Sequence, residues 1–409
     1  METVYARVAG LDVHKDSVAA CVRWLEGGGR VGQETRRFGT TTRQLLKLRD
    51  WLARSEVTHV AMESTGVYWK PIYNILEGGF EVLLVNARHV KNVPGRKTDV
   101  KDSEWLAHLQ QCGLLKASFI PPRPQREWRD LTRTRAQLVR QRAAVSNRIQ
   151  KVLEDANVKL ASVASDILGV SGRAMLEAIV GGQSAQRTLA QMARGRMREK
   201  IPQLEEALEG RLSEHHRFLL RSLLDQVAHL EEQIERFEQR IEELNAPFAQ
   251  AVEAVAEMPG FGTTSAQAVI SEIGTDMKAF ASAENLSSWC GICPGNHESA
   301  GKRQSGRTRK GNVWLRATLI QAAWAATHTK DSYFRAQYRR LVGRRGKKRA
   351  LVAVAHSQLV VIYHLLTTGR HYQDLGVDYF GQRDIEKIAR HHIKRLEALG
   401  YTVTKKEAA

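Results

Sequence analysis

The chain has 409 residues, 43% of them apolar, with 62 Lys or Arg against 44 Asp or Glu and a formal net charge of +18. This length allows two or three domains with a sizeable core, and the strong positive charge predicts a polyanionic partner, nucleic acid rather than membrane. The four cysteines form no disulfide framework, no apolar run has the length of a membrane span and no signal peptide begins the chain, so we expect a cytoplasmic protein with no membrane partner.

The first part of the chain alternates short apolar runs with amphipathic stretches. The pattern predicts strands over 4–13, 18–24, 57–62 and 80–85. It also predicts two helices, one that begins at Thr41 or Thr42 and one that covers 67–76. A β-hairpin followed by alternating helices and strands indicates an α/β layer fold with a mixed sheet.

Four acidic residues fall at the ends of these elements. Asp12 lies near the end of the first strand and Glu63 follows a later one. Asp99 and Asp102 are three residues apart on a predicted helix that runs to about Gln111, which places them on one helical face. Carboxylates are the ligands that Mg²⁺ prefers, and we expect the four to meet at one edge of the sheet. A D-x-x-D pair on a solvated helix often has no function, so the pair alone is weak evidence.

This arrangement resembles the RNase H-like fold, whose nucleases hold divalent metal with such a set of acids. The order D…E…D-x-x-D is close to that of the Holliday-junction resolvase, RuvC-like, branch.

Pro121, Pro122 and Pro124 mark a domain boundary, after which residues 123–151 form a basic helix. This segment carries nine Lys or Arg against two acids, and the pattern predicts contact with nucleic acid. A solvated basic face is the alternative. The candidate contacts on this helix are Arg129, Arg133 and Arg140.

Residues 220–244 carry a heptad seam with apolar residues three and four apart. The seam predicts either self-association through a coiled coil or an antiparallel hairpin within one chain, for example with the helix of 125–155. The seam residues are Leu220, Leu223, Val227, Leu230, Ile234, Phe237, Ile241 and Leu244.

The segment 258–262, Met-Pro-Gly-Phe-Gly, separates two helical stretches and resembles a helix-hairpin-helix element. In such an element glycines allow backbone N–H groups to approach a phosphate, although a plain turn between helices is the alternative. Cys290 and Cys293 form a C-x-x-C pair without a second pair nearby, which favours small core residues over a zinc site.

A Gly- and Pro-rich loop contains Ser299, and the residues from 299 to 316 include no acid. A serine in such a loop is usually a phosphate contact, although cations on the same loop would stabilise the charge that develops if it attacked a phosphodiester. A second basic run, 335–349, has eight Lys or Arg and no acid and is a candidate for contact with RNA or DNA. The candidate nucleic-acid contacts of the two runs are Lys302, Arg303, Arg307, Arg309, Lys310, Arg344, Arg345, Lys347 and Lys348.

Taken together, six blocks resemble the DEDD transposases of insertion sequences, whose members act as bridge-RNA-guided DNA recombinases. The blocks frame most of residues 4–370 and read G-L-D-V-H-K (10–15), M-E-S-T-G-V-Y (62–68), K-T-D-V-K-D-S (97–103), M-P-G-F-G (258–262), G-I-C-P-G-N-H-E-S-A-G-K (291–302) and R-K-G-N-V-W-L-R (309–316).

The resemblance implies Mg²⁺ or Mn²⁺ bound by Asp12, Glu63, Asp99 and Asp102. It also implies a serine that attacks DNA and forms a covalent phosphoserine, which falls on Ser299 with Ser305 as the second choice. The implied partners are double-stranded DNA, a structured bridge RNA and further copies of the chain in a dimer or tetramer. Sites in such an assembly combine the metal domain of one subunit with the serine domain of another.

We therefore expect an RNase H-like metal domain over 1–120, a basic helix, spacer and coiled coil over 121–247, a mainly helical serine transposase domain over 248–370 and a helical tail over 371–409. The predicted function is a cytoplasmic, nucleoid-associated transposase acting as a site-specific DNA recombinase. One alternative is a RuvC-like metal-dependent nuclease that hydrolyses branched DNA, and another is a non-catalytic nucleic-acid scaffold. The segment 155–215 carries no recognisable motif.

Overall fold

The computed structural model describes residues 3–27, 30–64, 66–86, 90, 101–295, 297–299, 301–383 and 385–404, and within these ranges it does not describe the side chains of 297–299, 303, 304, 382, 383 and 385–388. The chain divides into two compact units, Met1–Ile120 and Pro121–Ala409.

The first unit is an α/β domain built on a five-stranded mixed sheet, as the alternation of the sequence predicts. The strands follow the order β3-β2-β1-β4-β5, in which β1, β2 and β3 are antiparallel while β4 and β5 run parallel to β1. The strands are β1 Arg7–Val13, β2 Ser17–Leu25, β3 Val31–Gly39, β4 His59–Glu63 and β5 Glu81–Val85, and the helices are α1 Thr42–Arg54, α2 Trp69–Leu76 and α3 Asp102–Gln111.

The two faces of this sheet pack against different helices. Leu11 of β1 and Met62 of β4 belong to the core that includes residues of α1 and α2, whereas Ala61 packs with Leu106 and Leu109 of α3. Because side chains alternate along a strand, residues at positions 10 and 12 of β1 and at 61 and 63 of β4 face α3. This alternation sets the direction of the acidic side chains.

Strand β3 is absent from the sequence-based assignment. It lies at the edge of the sheet, and its segment V-G-Q-E-T-R-R-F-G has no buried residue, so the apolar alternation that marks the other strands is missing. The first strand and the second helix also begin slightly later than predicted, at Arg7 and Trp69. The predicted helix that would carry both Asp99 and Asp102 begins only at Asp102, after an extended Lys101, so the two aspartates do not share this helix as predicted.

The second unit is mostly helical. Its described residues form one two-stranded sheet, β6 His297–Ser299 with β7 Lys302–Ser305. The helices are α4 Arg123–Asp155, α5 Leu160–Val163, α6 Val170–Val180, α7 Gln186–Ala190, α8 Ile201–Ala207, α9 Glu214–Glu243, α10 Ala249–Ala256, α11 Thr263–Ile273, α12 Ala283–Cys290, α13 Val313–Ala326, α14 Tyr333–Arg345, α15 Lys347–Thr368, α16 Tyr379–Arg383 and α17 Ile385–Ala398, with short 3₁₀ turns at Gly195–Lys200, Ala246–Phe248 and Met277–Ala279.

Helices α4 and α9 pack as an antiparallel hairpin within the chain. Trp128, near the start of α4, donates from Nε1 to the carbonyl oxygen of Ile241 near the end of α9 at 3.0 Å, while Arg142 pairs with Glu231 further along both helices. The heptad seam of α9 therefore has a partner in the same chain, which is the second of the two predicted arrangements. The short helices α5 to α8, whose segment carries no motif, pack with α4 and α9 and complete their shared hydrophobic core.

The glycine turn 258–262 joins α10 to α11. Gly260 has a positive φ of 89°, and a Cβ atom there would fall 2.1 Å from the carbonyl oxygen of Ala322 in α13. Only glycine permits this contact, so the turn is a packing element of the helical unit. A phosphate contact at this turn stays a prediction.

Helix α15 is long and apolar enough to cross a membrane by length and composition alone, although the sequence analysis predicts no such run. Its Ala350, Val354, Leu359 and Ile362 are buried within the second unit. A buried core helix meets the same criterion, so its composition gives no support to a membrane role.

Candidate active site

Three of the four predicted acids are carried by neighbouring elements of the first unit. The parallel pair β1 and β4 aligns Leu11 with Met62, so Asp12 and Glu63 occupy the next position on each strand. Both lie on the face that packs against α3, and Asp102 is the first residue of α3. Two carboxyl groups, those of Asp12 and Glu63, therefore lie on one face of the sheet, and Asp102 begins the helix that packs on this face.

Gly10 explains how α3 comes so close to this face. A Cβ atom on Gly10 would lie 2.2 Å from the carbonyl oxygen of Ser103 and 2.4 Å from the backbone nitrogen of Ala107. Glycine in the middle of a strand thus lets the first turn of α3 lie directly on β1, two positions before Asp12. Gly10 was not predicted to have a role, although a glycine inside a strand pattern is the signal for such a close approach.

The acids of this face already have protein partners. The Nε2 atom of His14 lies 3.1 Å from Oδ2 of Asp12, whose side chain is 21% exposed. Asp99 lies outside the described residues. In the part of the chain that the structure describes, no group of three His, Cys, Asp or Glu residues lies close enough to hold a metal ion. The donor chemistry nevertheless fits Mg²⁺ or Mn²⁺, because all three described acids supply carboxylate oxygens.

The predicted serine lies on the β6–β7 hairpin of the second unit. Ser299 pairs with Lys302 across the tight turn that contains Gly301, whose φ is 73°. Ser305 lies opposite His297 at the base of the hairpin, and its Oγ accepts a hydrogen bond of 3.2 Å from the backbone nitrogen of Arg307.

The loop that carries Ser299 connects α12 to α13, and backbone contacts hold its two ends together. A Cβ atom on Gly311 would lie 2.2 Å from the carbonyl oxygen of Cys290, and one on Gly291 would lie 2.6 Å from the nitrogen of Gly311. The backbone nitrogen of Gly295 also donates to the carbonyl oxygen of Arg307 at 2.8 Å. These contacts fix the loop between α12 and α13. Cys290 is buried, which raises its pKa to about 12.

A buried carboxylate, Glu272 of α11, connects the start of α13 to the long helix α4. Its side chain is 1% exposed and accepts two hydrogen bonds from Arg133, at 2.6 and 2.8 Å, and one of 2.6 Å from Nδ2 of Asn312. Asn312 in turn caps α13 through Oδ1. Glu272 and Asn312 were not predicted, since neither belongs to a motif with an assigned role.

The same network engages the predicted nucleic-acid contacts of α4. Arg129 donates to the carbonyl oxygen of Ser271 at 3.0 Å, and burial lowers its pKa to about 10. Arg140 stacks on Trp314 with its guanidinium carbon 4.8 Å from the ring centre. Together with Arg133, these arginines contact the protein itself, and their contact with nucleic acid stays a prediction.

The remaining predicted contacts with described side chains are exposed cations in two places. One group lies on or after the serine hairpin, and the other lies at the corner between α14 and α15, where Gly346 has a φ of 77°. Lys and Arg side chains that neutralise phosphates release the counterions condensed on nucleic acid, and exposed cations are accessible for such contacts. The groups are Lys302, Arg307, Arg309 and Lys310 on the loop, and Arg344, Arg345, Lys347 and Lys348 at the corner.

Comparison with known families separates the chain into two matched ranges. Residues 9–158 match the family model of the DEDD transposase domain of IS110 elements, described as "Transposase", and residues 252–339 match the model described as "Transposase IS116/IS110/IS902 family". Each of the two ranges is therefore similar to a transposase domain. Asp12, Glu63 and Asp102 lie in the DEDD transposase range, and Ser299 and Ser305 lie in the second one.

Individual relatives agree with these matches. The transposase for insertion sequence element IS1111A of Coxiella burnetii is 25% identical over 379 residues, which cover 90% of this chain and 91% of that one. A probable family 20 transposase of Pseudomonas aeruginosa is 27% identical over 334 residues, covering 80% and 89%. Among solved structures, the RuvC structure of Thermus thermophilus is similar over 27% of this chain and 99% of that chain, at 16% identity and a TM-score of 0.22.

Proposed function

We propose that the protein is the transposase of an insertion sequence and acts as a site-specific recombinase that cuts and exchanges DNA strands. The observation that carries this proposal is the presence in one chain of the acidic face and the serine hairpin, each within a matched transposase range. A hydrolytic nuclease would need only the first of these features. Both matched families are transposases, which favours recombination over simple hydrolysis.

The acidic face would bind a divalent ion through Asp12, Glu63, Asp99 and Asp102. When bound, Mg²⁺ or Mn²⁺ neutralises charge on the scissile phosphate. The protein's own part is to hold the carboxylates: β1 and β4 fix two of them in register, and the contact of Gly10 with α3 fixes the third.

The serine hairpin would supply the nucleophile, Ser299, with Ser305 as the second choice. Its oxygen attacks phosphorus and a serine–phosphate ester forms, while the bond from phosphorus to the DNA oxygen breaks. The proton of the serine hydroxyl is transferred, directly or through water, to that displaced oxygen, which leaves as the free hydroxyl of the cut strand. The energy of the phosphodiester is kept in the new ester, so a second hydroxyl can reverse the step and join a different strand. The cross-strand pairing of Ser299 with Lys302 supports this role, because a nearby cation stabilises the phosphorane charge.

The proposed partners are double-stranded DNA at the element ends and target, a structured bridge RNA, and further copies of the chain in a dimer or tetramer. The net charge of +18 and the two exposed groups of cations support binding to polyanions. The protein would act in the cytoplasm, associated with the nucleoid.

The test is an analysis of products formed from labelled element-end and target DNA by the protein purified with its bound RNA, in the presence of Mg²⁺. We expect joined strands from the wild type and from Asp16→Asn, which changes an exposed acid on the β1–β2 turn, and none from Asp12→Asn. Free ends without joined strands would indicate the hydrolytic nuclease. In that case Ser299→Ala should lower the cleavage rate by less than about tenfold, which corresponds to ~1.4 kcal/mol of activation barrier. If the wild type binds DNA but forms no product, the protein would instead be a non-catalytic nucleic-acid scaffold.

A further inference from the structure

A cleft of about 1010 Å³ lies beside the serine hairpin in the second unit. One wall is the chain that leaves β7, from Ser305 to Thr308, and the other is the corner between α14 and α15. The cleft is therefore continuous with the hairpin that carries the proposed nucleophile, and Ser305 at the base of that hairpin lines it.

The mouth of the cleft is cationic. Arg307 comes from the hairpin side, while Arg345, Lys348 and Arg349 come from the helical corner. Among the described residues that line the cleft, none is acidic. Cations that converge from two separate segments without a carboxylate match a phosphate group.

The interior of the cleft has a different character. Ile292, Pro294, Val352 and Ala353 supply an apolar floor. Phosphate groups gain nothing from such a surface, whereas the flat faces of a nucleobase stack or pack on it.

At the inner end the cleft offers polar groups of the kind that read the edge of a base. Gln337 of α14 donates from Nε2 to Oγ of Ser357 at 2.8 Å, and His356 lies beside Ser357 on α15. Oε1 of Gln337 is buried and has no hydrogen-bond partner among the described residues. Because this oxygen is enclosed, it is the ring of His356 and the hydroxyl of Ser357 that can meet the polar edge of a base.

From the cationic mouth, apolar floor and polar end, we propose that this cleft holds one unpaired nucleotide of the DNA strand that the hairpin cuts. Its phosphate lies among Arg307, Lys348 and Arg349, and its base lies over Ala353 toward Gln337. A paired base cannot enter, since the duplex would block it, so the strand must be unpaired locally, at a cost of a few kcal/mol. The proposal rests on the proposed function, because it takes DNA as the substrate.

The experiment compares two DNA probes with the full-length protein. One is a duplex that carries a single unpaired 2-aminopurine nucleotide, and the other is the same duplex fully paired; binding is measured by anisotropy and entry of the base by 2-aminopurine fluorescence. Ala353→Trp fills the floor without changing charge, and Lys348→Gln with Arg349→Gln removes two cations of the mouth. Lys278→Gln with Lys330→Gln removes two exposed cations elsewhere in the same unit and is the matched control.

We expect Ala353→Trp to weaken binding of the unpaired probe about tenfold and to leave the paired duplex within about twofold. Lys348→Gln with Arg349→Gln should weaken binding of the unpaired probe more than the control, Lys278→Gln with Lys330→Gln, does. If wild-type protein binds both probes and neither cleft variant alters their ratio, the cleft proposal is overturned while the recombinase proposal stands. If an RNA probe with the same unpaired nucleotide is preferred over DNA, the assignment to the cut strand is overturned. Failure of the wild type to bind any DNA would overturn both proposals.

Discussion

Gly10 lies against Ser103, such that a Cβ atom on Gly10 would fall 2.2 Å from the carbonyl oxygen of Ser103. This contact joins β1 to the first turn of α3 and so brings Asp102 to the face of the sheet that Asp12 occupies. The position of the third acid thus depends on a residue that has no side chain.

Substitution of Gly10 should disturb both the fold and the acidic face. We expect Gly10→Ala to lower the free energy of unfolding by about 2–3 kcal/mol, because the added methyl group overpacks against backbone that cannot move aside. Denaturant unfolding measures the change. Gly27→Ala is the matched control, since a Cβ atom there meets nothing within 4 Å, and it should stay within about 0.5 kcal/mol of wild type. Equal stability of the two variants would contradict the close packing of α3 on β1.

Removal of Arg133 should destabilise the second unit rather than merely weaken DNA binding. Arg133→Ala leaves the buried carboxylate of Glu272 with Asn312 and with Arg129, which lies 3.5 Å away, so we expect a loss of about 3 kcal/mol. The measurement is the unfolding midpoint in denaturant. Arg123→Ala breaks an exposed pair with Glu127 on the same helix and should cost less than about 1 kcal/mol. If the two arginine variants unfold alike, Glu272 is not the connection between α4 and α13.

The stability of the α4–α9 hairpin should depend on pH through Glu231. Burial would raise the pKa of this carboxyl, but hydrogen bonds from Arg173 and Arg142 outweigh burial and lower it below the usual value of 4.5. The ionised form therefore stabilises the fold above pH 4.5, and this contribution is lost as the pH falls through the lowered pKa. We expect Glu231→Gln to be less stable than wild type at neutral pH by about 1 kcal/mol and the difference to shrink in acid. A difference that is constant or grows on acidification would contradict this role.

Divalent metal should stabilise the first unit if the acidic face binds it. We expect Mn²⁺ or Mg²⁺ to raise the melting temperature of the wild type, because a ligand that binds only the native state adds to its stability. Asp102→Asn should lose most of this shift, while Asp16→Asn should keep it. An equal shift in the two variants would place the metal elsewhere.

Much of the first unit could be predicted from the sequence because its buried strands are continuous apolar runs. Strand β3 could not, since an edge strand with no buried residue has no apolar alternation. Asp12 and Glu63 were predicted as site residues because they lie at the ends of those strands, and Asp99 and Asp102 because of their D-x-x-D spacing. Gly10 was not, because its role lies in packing between elements distant in sequence.

In the second unit, local patterns predicted the long helices α4 and α9 and the pair α10 and α11, but not which elements they pack against. The seam of α9 buries the same kind of surface whether it meets α4 of its own chain or another copy, so one sequence could not decide between them. Likewise Arg129 and Arg133 belong to a basic run, and only the folded position of Glu272 shows that they contact the protein interior.

The most direct test of the recombinase account is to trap the protein on DNA whose cut strand cannot be rejoined, with the bound RNA and Mg²⁺ present, and to identify the modified peptide by mass spectrometry. The account predicts a covalent adduct on Ser299 that is lost in Ser299→Ala and kept, at least in part, in Ser305→Ala. An adduct that survives Ser299→Ala and disappears in Ser305→Ala would move the nucleophile to the base of the hairpin. Cut DNA with no adduct from wild-type protein would contradict the serine mechanism altogether.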